Sequence, residues 1–187
     1  MNLNNKSSVE ALRHQLESAG VDTENWGQNK SKSIEDLKKE IENGETELIL
    51  SQNGEILRKT RVARVNIFFQ NDEGETLKLI EERRLYANGR EKFRDKSHSI
   101  SKKIKNNQTP ENAIKKAIIK KLGISDEIKI EETDTVEDTN MSPSYPSLRS
   151  VYVFHNFKSY LSKEQFNSEG YIGKQSDKVT YYVWKNA

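Results

Sequence analysis

Thr109-Pro110-Glu111-Asn112-Ala113-Ile114-Lys115-Lys116-Ala117-Ile118-Ile119-Lys120-Lys121-Leu122-Gly123-Ile124 is the stretch whose reading decides the fold. It follows a polar loop that begins at Lys102. A threonine followed by proline and glutamate starts a helix well. The hydroxyl caps an orphan amide, proline fits the first helical position, and the carboxylate suits the positive end of the dipole. Ala113, Ile114, Ala117, Ile118 and Leu122 fall on one face, so the helix is amphipathic. Lys115, Lys116, Lys120 and Lys121 lie toward its negative end. At 100° per residue Lys121 falls in the middle of the apolar face and Lys120 at its edge. Gly123 is suited to the left-handed residue that closes a helix.

In its frame this stretch resembles the Nudix box, the signature of the Nudix hydrolase superfamily. That motif has a glycine, a first glutamate, then Arg-Glu, an aliphatic residue, Glu-Glu, a glycine and a last aliphatic residue at fixed spacing. Gly123 and Ile124 match the last two positions and Ile118 the inner aliphatic. Thr109-Pro110-Glu111 and Ala113 match the usual filler after the first glutamate. The chemistry departs from the family. Lys102 stands for the opening glycine, Gln108 for the first glutamate, Lys116-Ala117 for Arg-Glu and Lys120-Lys121 for Glu-Glu. The resemblance implies an α+β fold, a Nudix-like mixed β-sheet with the box helix packed on it. It also implies a family mechanism in which glutamates hold Mg2+ or Mn2+. Hard divalent cations need oxygen ligands, and a lysine ammonium offers only donors. No catalytic residue is therefore assigned on this helix, and no cofactor is expected there.

Composition sets the outer limits. The chain has 187 residues, 33% hydrophobic and 32% charged, with a net charge of +2. The apolar residues come in periodic runs, which favours a folded protein over disorder. Near-neutral charge gives no global argument for nucleic acid, so a nucleic-acid partner is not expected. With no cysteine there is neither a disulfide nor a thiolate site. No apolar run approaches the length of a membrane span and no signal peptide is seen. The expectation is a soluble protein without a membrane partner, cytoplasmic or otherwise intracellular.

Working outward from the box, the chain reads as two early helices and then strands. Residues 1–45 are expected to form an N-terminal helical extension and residues 46–187 the Nudix-like domain. Met1–Ser7 is polar and expected to be loose. Ser8 caps a helix reaching Leu16, and Ser33 with Asp36 forms a capping-box variant for a second helix with an Ile34, Leu37, Ile41 stripe. Trp26 is read as a packing anchor. Strands are expected over Glu47–Leu50, Ile56–Phe69, Thr76–Tyr86, Ile128–Thr133, Leu148–Phe157 and Lys178–Trp184. Asn53-Gly54 and Asn88-Gly89 mark hairpins. Ser162–Phe166 reads as one helical turn. The resemblance spans Arg61 to Trp184. Many members end in a helix, and one of the N-terminal helices is expected to fill that layer here.

The candidate ligand-binding residues are Lys116, Lys120 and Lys121 on the box helix, with Arg83 and Arg94. On the functional reading the lysines supply the positive charge that a metal supplies in the enzymes. The competing reading has Lys121 snorkelling over apolar neighbours. Arg58, Lys59, Arg61 and Arg64, and then Arg83, Arg84, Arg90 and Arg94, alternate with Glu81, Glu82, Glu91 and Asp95. Cross-strand ion pairs on a wet sheet face explain that pattern better than a phosphate patch. Tyr152, Phe154, Tyr181 and Trp184 have the period of strand-core residues. Glu131, Glu132 and Glu137 are the alternative metal ligands in a run that also reads as a solvated loop. His14, His98 and His155 have no partner pattern.

The leading functional reading is a Nudix-fold domain without catalysis that binds a phosphate-containing or nucleotide ligand, or a protein partner. One alternative is a divalent-metal-dependent hydrolase of nucleoside diphosphate-linked compounds with relocated carboxylates. The other is a structural subunit of a larger assembly.

Overall fold

The computed structural model describes residues 8–94, 98–124 and 127–187. Met1–Ser7 and Asp95 lie outside them. The helices are α1 (Val9–Ser18), α2 (Ile34–Glu42) and α3 (Pro110–Leu122). The strands are β1 (Glu47–Leu50), β2 (Ile56–Gln70), β3 (Thr76–Tyr86), β4 (Glu91–Phe93), β5 (Ile100–Lys103), β6 (Glu131–Met141), β7 (Arg149–Tyr160), β8 (Tyr171–Lys174) and β9 (Lys178–Asn186). The fold is α+β. The main strand order is β6-β7-β2-β3-β9-β8, with β1 and β5 also paired to β2 and β4 to β3.

The sheet is mixed. The hairpins β1–β2, β2–β3, β3–β4 and β8–β9 are antiparallel. β7 runs in the direction of β2, since Arg58 reaches Tyr152 and the Leu161 amide donates to the Phe68 carbonyl. Gly54, Gly74 and Gly89 sit at the hairpin turns as their sequence signals require, each with positive φ.

Contacts group the chain into two compact units. The first comprises Met1–Val62, Lys103–Gln108 and Val136–Phe154. Its core joins Leu12 and Leu16 of α1, Ile34 and Leu37 of α2, Leu48 of β1, Ile56 of β2, and Trp26, Tyr145 and Leu148. Both early helices thus pack on strands within this unit. The Ser8 hydroxyl accepts from the Ala11 amide, and Ser33 with Asp36 forms a complete capping box. Trp26 is the anchor its isolation suggested. Its ring lies 5.1 Å from that of Tyr145, and its indole N–H donates to the Pro146 carbonyl at 2.9 Å.

This unit also buries an ionic cluster. Glu40 of α2 accepts from Arg58 at 2.7 Å, and its other oxygen meets Lys32 at 2.5 Å and Lys103 at 2.8 Å. Burial alone would raise the Glu40 pKa. The hydrogen bonds from Lys103, Lys32 and Arg58 overcome that and hold it down at about 2. Arg58 was expected on a wet sheet face, yet its side chain is 3% exposed. The tyrosine rings of Tyr145 and Tyr152 lie 5.2 and 5.8 Å from its guanidinium carbon. The partner that draws it inward comes from a helix, which a strand pattern does not reveal.

The second unit comprises Ala63–Lys102, Thr109–Thr135 and His155–Ala187. Within it, β2 buries Ala63, Val65, Ile67 and Phe69 on one face. Register places Leu79 opposite Trp184 and Glu81 opposite Tyr182 on the β3–β9 pair. Phe69, Phe166, Tyr171 and Trp184 form an aromatic cluster, with Phe69 and Phe166 stacked at 3.7 Å. Ser162–Phe166 makes the expected single turn, the Phe166 amide donating to the Ser162 carbonyl.

Three elements differ from the sequence reading, the first being β5, which takes in Lys102 and Lys103 where a polar loop was expected to begin. The strand expected over Ile128–Thr133 begins only at Glu131, and it continues as β6 to Met141 through the acidic run that also read as a solvated loop, with every residue exposed. Thr133, Thr135, Val136 and Thr139 are β-branched and suit a strand. Carboxylates are tolerated there because β6 ends the strand order, and charge on an edge discourages further pairing. β8 was not foreseen. It is short, and Gly173 interrupts its pattern.

Candidate functional site

Helix α3 forms as its sequence dictates. The Thr109 hydroxyl accepts from the Asn112 amide at 3.2 Å, and Pro110 opens the helix. Gly123 closes it with φ 70°, the Gly123 amide donating to the Ile119 carbonyl. Ala113, Ile114, Ala117, Ile118 and Leu122 are buried, the face the spacing predicts. The last turn of α3 rests on β8. A Cβ at Gly173 would stand 2.7 Å from the Lys121 carbonyl oxygen, so only glycine permits this approach.

That contact fixes where the lysines project. Lys116 and Lys120 are exposed, and Lys115 is spent on a 2.7 Å ion pair with Glu111. Lys121 is half-buried, its ammonium 3.5 Å from the Ser101 carbonyl of β5. That distance is at the outer limit of a hydrogen bond. Its stem runs over the apolar face while its head finds a polar end, which is snorkelling geometry. Glu111 is the only carboxylate on α3. With Lys115, Lys116, Lys120 and Lys121 against it, the helix presents a net positive strip.

The candidate arginines are engaged elsewhere. Arg83 of β3 forms a 2.6 Å cross-strand pair with Glu91 of β4 and lies 4.1 Å over the Tyr181 ring. Arg94 meets Glu81 at 2.9 Å, and Arg84 meets the same carboxylate at 2.6 Å. Glu81 is 3% exposed, so two guanidiniums offset one buried charge. The ion-pair reading of this sheet region therefore accounts for both Arg83 and Arg94.

The alternative metal ligands are also taken up separately. Glu131 pairs with Lys158 at 3.2 Å. Glu132 lies 3.2 Å from His155, which is also 3.1 Å from the Thr135 hydroxyl. Glu137 is exposed on β6. Among the described residues no three carboxylates or imidazoles converge as a cation site requires. The donors on α3, one carboxylate already paired and four ammonium groups, do not fit Mg2+ or Mn2+.

Among the described residues no helix is long and apolar enough to cross a membrane. No protein-family model matches the sequence, and no curated protein matches it. Several solved structures are similar. A MutT/nudix family protein from Enterococcus faecalis is 15% identical, with a TM-score of 0.46 over 68% of this chain and 44% of that one. A C. elegans Ap4A hydrolase is 9% identical, with a TM-score of 0.39 over 68% of this chain and 80% of that one. A Nudix hydrolase from M. smegmatis is 15% identical, with a TM-score of 0.38 over 74% and 78%. The chain thus spans less than half the length of the E. faecalis protein.

Proposed function

We propose that this chain is a Nudix-like domain that holds a phosphate-bearing ligand, such as a nucleotide, without hydrolysing it. The observation that carries this reading is the strip on α3. The caps and apolar face of the box helix are kept, while Lys120 and Lys121 stand where the resemblance places cation-holding acids and Lys116 stands at its arginine. A catalytic metal does two things at a diphosphate: it neutralises charge and it generates a nucleophilic hydroxide. Ammonium groups supply the first and not the second. Binding without turnover is the chemistry left to such a helix.

A competing account needs no ligand. Lys120 and Lys121 lie in the last turn, where cations complement the negative end of the helix dipole. The two accounts separate on a charge reversal. Lys120→Glu with Lys121→Glu is to be titrated with inorganic pyrophosphate and with ADP, thermal unfolding serving as the folding control. The ligand reading expects at least about a tenfold loss of affinity, roughly 1.4 kcal/mol. Unchanged affinity in a folded double variant contradicts it.

A further inference from the structure

The second unit has a sheet face that α3 does not cover. α3 meets β8 at Gly173, which pairs with Thr180. Side chains alternate along a strand, so Ile172, Lys174, Val179 and Tyr181 point to the other face. Register carries that face across four strands. Phe93 of β4, Arg83 of β3, Tyr181 of β9 and Ile172 of β8 form one row. Glu91, Leu85, Val179 and Lys174 form the next, in the same strand order. Ile80 and Val183 make a shorter third row on β3 and β9.

The apolar side chains of this face meet water. Phe93 is 69% exposed, Ile172 57% and Leu85 37%. Ile80, Val179, Tyr181 and Val183 are partly exposed. Arg83 lies over the Tyr181 ring and pairs with Glu91, which confirms that these three share the face. Scattered apolar residues on a surface need no explanation, but a contiguous patch marks a contact site. The band stops at Lys78 and Lys185, which form the next row.

The order of residues within the rows says what covers them. A two-fold axis running along the strands, between β3 and β9, turns the face onto itself. It lays β4 of one copy over β8 of the other, and β3 over β9. Phe93 then meets Ile172, Leu85 meets Val179 and Ile80 meets Val183. Arg83 meets the Tyr181 ring, and the Glu91 carboxylate meets the exposed Lys174 ammonium. Every position in the three rows faces one of matching chemistry, as an isologous contact requires.

We propose that this face is the interface of a homodimer, two copies packing sheet on sheet about that axis. Aligned sheets pack with strands within about 30° of each other, so the rows stay in reach. Three rows about 6–7 Å apart over four strands give a patch of roughly 20 by 20 Å. That is about half the roughly 800 Å² that each partner buries in a standard interface, so the dimer is weak and forms at tens of micromolar. The proposal does not depend on the α3 reading, because α3 lies on the other face of the sheet. Dimerisation leaves the lysine strip uncovered, so each dimer presents two.

Sedimentation velocity of the full chain from about 5 to 500 μM tests it, since a patch of this size dissociates within that range. The proposal expects a reversible monomer–dimer equilibrium. Leu85→Glu with Ile172→Glu, at exposed positions where the fold tolerates charge, is expected to weaken the dimer at least about tenfold. Lys174→Glu and Glu91→Lys are each expected to weaken it when alone, because each puts like charges face to face. An equimolar mixture of those two variants is expected to associate again, since the exchanged charges then face each other. Thermal unfolding checks that each variant is folded. A chain that stays monomeric at 500 μM, the result if a different protein covers this face, would overturn the proposal. So would unchanged association in a folded Leu85→Glu, Ile172→Glu variant, or a mixture no stronger than its separate members.

Discussion

Neutralising Glu40 is the sharpest perturbation the structure offers. Its carboxylate is the counter-charge for Arg58, Lys32 and Lys103. Glu40→Gln keeps the shape and removes the charge. Lys32 and Lys103 are 44% and 30% exposed and can turn to water, but Arg58 at 3% cannot. It loses its counter-charge, keeping at most neutral acceptors, the amide oxygen of Gln and the Tyr152 hydroxyl at 3.3 Å, with the ring faces of Tyr145 and Tyr152. Breaking one side of a buried pair costs about 3–5 kcal/mol. The proton linkage gives a similar figure. A pKa held at about 2 against an ordinary 4.5 corresponds to about 3 kcal/mol. In a chain of this size that lowers the melting temperature by about 10 °C.

The assay follows the first unit alone. Trp26 is buried in its core and Trp184 belongs to the second unit, so a Trp184→Phe background leaves Trp26 as the reporter. The pH dependence has a definite sign. Because the folded pKa is depressed, the Glu40 contribution is complete above about pH 4.5 and is lost as pH falls toward about 2. The gap between parent and Glu40→Gln should therefore close on acidification. Glu40→Leu with Arg58→Met should recover much of the loss, since it leaves no buried charge unpaired. A Glu40→Gln variant within about 1 kcal/mol of its parent at pH 7 would refute the reasoning, as would a gap that persists at pH 2.

Other expectations concern the helix that carries the candidate site. Thr109→Ala removes the cap on α3 and should cost about 1 kcal/mol in urea unfolding followed at Trp184. Gly173→Ala forces a methyl to 2.7 Å from the Lys121 carbonyl, so α3 must shift off β8. Hydrogen exchange at the end of α3 should rise in that variant, and pyrophosphate affinity should fall with it. The Lys120→Glu, Lys121→Glu reversal should weaken pyrophosphate binding at least about tenfold while thermal unfolding stays cooperative.

How far the sequence could be read depends on whether the information is local. The cap at Thr109, the stop at Gly123, the Ser33–Asp36 box and the hairpin glycines are short-range signals, and each appears as expected. The apolar face of α3 followed from its period. The Glu40–Arg58 pair did not, because helix and strand meet there only after the chain has folded. Strand period shows that residues alternate but does not say which face is buried. Tyr181 and Trp184 were both given to the core. Trp184 joins the aromatic cluster, and Tyr181 lies on the face that bears Arg83. The exposed strand β6 was hidden by its acidity, which resembles a solvated loop. At the candidate site the lysine positions were legible, but not the contact with Gly173, which a separate short strand provides.

The account turns on whether lysine charge has replaced metal at α3. Calorimetric titration of pyrophosphate, in EDTA and again in excess Mg2+, addresses this most directly. The account predicts binding in EDTA, no need for Mg2+, and pyrophosphate recovered intact. Binding that appears only with Mg2+, or release of orthophosphate during the titration, would contradict it.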